Sequence, residues 1–86
     1  MKFKVEATFT IDGKACVVAR RTVGAGDFCL SSLSKLDGVP VLEQLQIPRK
    51  YRRPELGLDA DVFGFVLADP AALVRFHKYD VVDLTP

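Results

Sequence analysis

The sequence predicts an all-β fold, a small and mostly antiparallel β-barrel of about six strands with one short helix before the last strand. Three observations carry this expectation. Residues 2–11 alternate between apolar and polar side chains with a period of two. Asp12-Gly13 and Asp37-Gly38 each follow or precede β-branched runs, which is the composition of tight hairpins. The most apolar run, Val62-Phe63-Gly64-Phe65-Val66-Leu67, has the length of a strand and not of a helix.

Each element can be justified in order. In the first strand Phe3, Val5, Ala7, Phe9 and Ile11 fall on one face, and Lys2, Lys4, Glu6, Thr8 and Thr10 on the other. Asp12-Gly13 turns the chain, because glycine accepts positive φ without a steric cost. Residues 15–23 are β-branched enough to pair back as a second strand. Gly24-Ala25-Gly26-Asp27 reads as a turn, and a third strand is expected from Phe28 through Lys35 or Leu36. After Asp37-Gly38, the apolar positions Val39, Val41, Leu42, Leu45 and Ile47 mark a fourth strand. Gly64 inside the fifth strand signals a bulge, a bend or the close approach of another backbone. Asp69 and Pro70 are a cap and first position for a helix of two or three turns ending before Asp80. Val81-Val82-Asp83-Leu84 closes the sheet. The core expected from this pattern draws on Phe3, Val5, Phe9, Ile11, Val17, Phe63, Phe65, Leu67, Leu73 and Val82.

The chain has 86 residues, 49% of them hydrophobic, which suffices for one core and not two. One domain over residues 1–86 follows. The net charge of +1 hides an asymmetry. Residues 1–53 carry ten Lys/Arg against five Asp/Glu, and residues 54–86 carry two against six. Interleaving strands would match these charges internally. Cys16 and Cys29 have no zinc-type spacing and read as two buried thiols acting as small apolar residues. The start, Met1-Lys2-Phe3-Lys4, lacks the apolar run of a signal peptide, and no stretch approaches the ~18 apolar residues of a membrane span. The expectation is a cytoplasmic protein that does not enter a membrane.

The stretch Phe9-Thr10-Ile11-Asp12-Gly13-Lys14-Ala15-Cys16-Val17-Val18-Ala19-Arg20 resembles the opening hairpin of the second-domain β-barrel of translation elongation factor Tu and related translation GTPases. Later features look similar in order: a turn from Val23 to Phe28, a strand at Asp61 to Phe65, a short helix from Asp69 to His77, and a final strand at Asp80 to Leu84. Lys14-Ala15 stands where the family pattern has Arg-Gly. The resemblance implies a barrel of the kind that sits beside a nucleotide-binding domain and helps hold the aminoacyl end of tRNA or a ribosomal surface. The chain has no Gly-x-x-x-x-Gly-Lys-Ser/Thr loop, so it is not itself a GTPase.

Candidate chemistry is sparse. His77 has Asp80 three residues on, and Ser31, Ser32 and Ser34 lie far away in sequence with no nucleophile-elbow signature. It reads as a solvated residue at a helix end. Asp59 and Asp61 would share a strand face, yet they match no calcium-binding pattern and read as a polar turn. Gly24-Ala25-Gly26 precedes a strand-like segment, so no helix N-terminus is available there for a phosphate. No cofactor, no metal and no enzymatic activity are expected.

The strongest candidate surface is Arg49-Lys50-Tyr51-Arg52-Arg53, bracketed by Pro48 and Pro54. Four cations around one aromatic ring form a composition that neutralises phosphates and stacks a base. Arg20-Arg21 would add to the patch if their strand lies nearby. Two other readings compete: a site for an acidic protein partner, and a solvated loop that protects a sheet edge. The functional expectation is a stand-alone protein-interaction module, the alternative being a small RNA- or ribosome-associated protein that uses residues 49–53.

Overall fold

The structure, a computed structural model, describes residues 1–24, 28–45 and 62–86. Six strands form one closed barrel: β1 (Lys2–Ile11), β2 (Lys14–Val23), β3 (Lys35–Leu36), β4 (Val39–Leu45), β5 (Val62–Leu67) and β6 (Val81–Thr85). A 3₁₀ helix, Pro70–Arg75, precedes β6. Around the barrel the order is β1-β2-β5-β4-β3-β6, and every pairing is antiparallel. The all-β barrel expected from the sequence is therefore present, with its short helix before the last strand. Among the described residues no helix is long and apolar enough to cross a membrane.

Both Asp-Gly pairs turn hairpins. Asp12 and Gly13 have φ of 50° and 76°, and Asp37 and Gly38 have 52° and 82°. Two successive positive values define the type I′ turn, whose twist matches that of the flanking strands. Asp69 caps the 3₁₀ helix as expected, its Oδ1 accepting from the Ala71 N–H at 3.0 Å. The helix is tighter and shorter than the sequence suggests. It ends at Arg75, because Phe76 leaves the helical conformation and is buried in the barrel.

The barrel interior is filled by Phe3, Val5, Ala15, Val17, Ala19, Leu36, Val39, Val41, Phe65, Leu67, Phe76, Val82 and Leu84. At its centre the Phe3 ring meets Phe65 edge-on at 5.4 Å and Phe63 at 5.7 Å, the geometry that aromatic quadrupoles prefer. Phe63 and Leu73 are only partly buried but pack on this core, as does Phe28.

Phe9 and Ile11 depart from the expected core. The β1–β2 register shifts between Val5 and Ala7, so Glu6 is an extra residue in β1. Such a bulge moves every later side chain to the opposite face. Ala7 and Phe9 consequently leave the interior and pack with Val18 and Val62 on the outside of the barrel, while Ile11 is 52% exposed. In the β4–β5 pair a shift between Val41 and Glu43 makes Leu42 the extra residue of β4. Of the bulge, bend or close backbone approach expected at Gly64, the bulge is absent: Gly64 is buried and sits in unbroken register opposite Val18. The third strand is also shorter than expected. Only Lys35 and Leu36 pair, because residues 31–34 fold into a turn held by their own serine side chains.

Candidate functional site

An open depression of about 510 Å³ lies where the 31–34 turn faces β4. Leu30, Pro40, Val41, Leu42 and Ala68 supply its apolar lining, and Ser31 and Ser32 its hydroxyls. Each wall is fixed by backbone chemistry. The Ser31 N–H donates to Ser34 Oγ at 2.7 Å, and the Leu33 N–H donates to Ser31 Oγ at 3.2 Å. Ser34 N–H returns to the Ser31 carbonyl at 3.1 Å, and the Ser34 carbonyl accepts from Val41 N–H at 3.1 Å. Burial of Ser34 is thus accompanied by satisfied hydrogen bonds, as a buried hydroxyl requires. Across the groove, the Ala68 N–H donates to the Pro40 carbonyl at 2.9 Å.

Two leucines project beside this groove. Leu42 is 66% exposed because it alternates with the inward-facing Val39 and Val41, and Leu33 is 77% exposed at the tip of the serine turn. Single exposed apolar side chains are ordinary on protein surfaces. Leu42 lines the apolar depression, and Leu33 projects from the turn that forms its other side.

Of the described residues singled out from the sequence, Arg20, Arg21 and His77 do not line this groove. Arg49, Lys50, Tyr51, Arg52 and Arg53 lie outside the described residues, as do Asp59, Asp61 and Ala25–Asp27. Arg20 Nε donates to Glu6 Oε1 at 2.8 Å, so the bulge residue holds this cation on the outer face. Arg21, opposite Phe3 in the β1–β2 ladder, lies over the Phe63 ring at 5.3 Å and donates to Met1 Sδ at 3.7 Å. The two arginines therefore point to different environments.

His77 is exposed, as expected of a helix-end residue. Asp80 Oδ2 accepts from its backbone N–H at 3.0 Å and lies 3.4 Å from its Nδ1. The pair closes a turn; none of the serines accompanies it. Cys16 is buried, and burial pushes its thiol pKa up, with Glu43 adding to the rise and Lys14 opposing it. Cys29 is exposed, contrary to the expectation of two buried thiols; β3 spans only Lys35–Leu36 and does not extend back to it. Among the described residues no group of three or more His, Cys, Asp or Glu is placed to hold a metal ion.

A scan against models of protein families and searches of curated proteins and of solved structures return no match to this chain. Sequence reasoning missed both the groove and the serine turn. The only available signal was the Ser31-Ser32-Leu33-Ser34 run, whose composition favours side-chain-to-backbone turns over a strand.

Proposed function

We propose that this barrel is a non-catalytic protein-interaction module whose contact surface is the groove between the 31–34 turn and β4. The observation that carries the reading is Leu42, 66% exposed on the outer face of β4 at the rim of an apolar depression. Walls held by the hydrogen bonds of the serine turn and β4 limit the ordering cost of association, which favours a partner inserting apolar side chains from an extended segment, its backbone meeting Ser31 and Ser32. The resemblance to the second-domain barrel of elongation factor Tu supports the same reading, since such a barrel works by presenting surfaces to partners.

The test is a pull-down from nuclease-treated extract at low and high salt, with the intact chain and with Leu42→Glu as baits. The expected result is a protein held by the intact chain despite nuclease and salt, and lost by Leu42→Glu. An apolar interface resists salt, whereas phosphate contacts weaken steeply with it. Recovery that vanishes with nuclease, and on changing Arg49, Lys50, Arg52 and Arg53 to Glu, would replace this reading with RNA binding through residues 49–53. Equal recovery on both baits would move the interface away from the groove.

A further inference from the structure

On other elements of the barrel, at the turn between the 3₁₀ helix and β6, the backbone carries a residue that the turn itself does not favour. The Asp80 N–H donates to the His77 carbonyl at 3.0 Å, closing a four-residue turn over residues 77–80. Tyr79 occupies its third position with φ of 76°, and Lys78 before it does not share the positive value. That combination is a type II turn, whose third position calls for glycine or asparagine. A tyrosine there sits in left-handed backbone that costs an L-residue free energy, and residues held in this way cluster at functional sites. The ring is not bought for the core, since Tyr79 is 60% exposed.

The turn is pinned to β1. The Tyr79 N–H donates to the Val5 carbonyl at 2.7 Å, and the Val5 N–H donates to the Asp80 carbonyl at 2.8 Å. This brings Lys4 beside a ring that is remote in sequence. The Lys4 and Lys78 ammonium groups lie 5.2 and 5.1 Å from the ring centroid. Neighbouring charges are engaged elsewhere: Lys2 with Asp83 at 3.3 Å, Glu6 with Arg20 at 2.8 Å, and Asp80 with His77. Lys4 and Lys78 form no ion pair with a carboxylate among the described residues.

We propose that Tyr79, Lys4 and Lys78 form a second binding site, distinct from the groove, for single-stranded nucleic acid. One base stacks on the Tyr79 ring, and the two lysines swing from the ring to the adjoining phosphates. Cations beside an exposed aromatic ring are the arrangement by which single strands are held without sequence preference. An acidic peptide would use the lysines but would leave the ring, and the strain that presents it, without a purpose.

The experiment is fluorescence anisotropy of a fluorescein-labelled oligouridylate of ~12 nucleotides against the intact chain. Saturable binding is expected, weakened about tenfold or more in Tyr79→Gly and largely kept in Tyr79→Phe. With two phosphates neutralised, log K falls against log salt with a slope of about −1.4, and Lys78→Gln halves that slope. Tyr79→Gly keeps its melting temperature within ~5 °C, because relief of the left-handed strain offsets the lost cation–π contacts. Leu42→Glu binds the oligonucleotide normally, so failure of the groove reading leaves this one standing. The proposal is overturned by absence of saturable binding, by equal binding of Tyr79→Gly, or by a polyglutamate peptide competing as well as the oligonucleotide. A large melting-temperature loss in Tyr79→Gly would also overturn it, because the ring would then be a structural pin.

Discussion

Three described turns of this barrel place non-glycine residues at positive φ, and they divide into two kinds. At Asp12-Gly13 and Asp37-Gly38 the residues suit the backbone: both central positions are positive, and a Cβ added at either glycine meets nothing within 4 Å. Their substitution cost is therefore conformational strain and not collision. At Lys78-Tyr79 the backbone serves the residue, since an exposed ring occupies the position that glycine would take most easily. The first kind of turn exists to pair strands. The second joins the 3₁₀ helix to β6 and also displays an aromatic side chain.

Exchanging the two kinds of turn is the sharpest way to break this distinction. Asp37→Lys with Gly38→Tyr puts ordinary side chains at two left-handed positions of a hairpin that must hold the two-residue strand β3 in place. The double variant should lose about 2–4 kcal/mol, read as a fall in melting temperature on the order of 10–25 °C. A loss under about 1 kcal/mol would mean that strain in these turns is inexpensive and that Tyr79 needs no functional explanation.

Gly13→Val tests one position alone and should cost about 1–3 kcal/mol. It should also open the β1–β2 hairpin more often, and Cys16, three residues from the turn, can report it. In the intact chain a thiol reagent should modify exposed Cys29 promptly and Cys16 slowly, since its thiol is buried and held protonated. Faster modification of Cys16 in Gly13→Val is the expected outcome, followed by mass spectrometry. An unchanged rate would separate turn strain from hairpin opening.

The smallest effect is a pH dependence. The Cys16 thiol has a folded pKa above its unfolded value, so the protonated form is favoured in the fold. Its contribution is fully present below the unfolded thiol pKa and is lost as pH rises through the folded one. Stability of the intact chain should therefore decline on the alkaline side of the thiol range, and Cys16→Val should flatten that decline in urea titrations run across it. Tyr79→Gly should show the same decline as the intact chain, because the 78–79 turn is unconnected to this thiol.

Local chemistry determined much of the fold. The alternation of Lys2 to Val5, the two Asp-Gly hairpins, the Asp69 cap and the apolar run Val62–Leu67 are each legible from neighbouring residues, and together they prescribe a closed antiparallel barrel. Tertiary structure alone decided the phase of the strands. The apolar alternation of β1 continues unbroken through Phe9 and Ile11, yet Glu6 sends these residues outward. A bulge is a relation between two strands: a residue is extra only when its partner is counted, so no pattern within one strand reveals it. The candidate sites followed the same rule. Leu42 borders a groove only because the serine turn hydrogen-bonds to β4, and Lys4 meets Tyr79 only because the turn before β6 hydrogen-bonds to β1. Sequence fixes what each segment prefers, while the register of long-range pairing fixes which side chains share a surface.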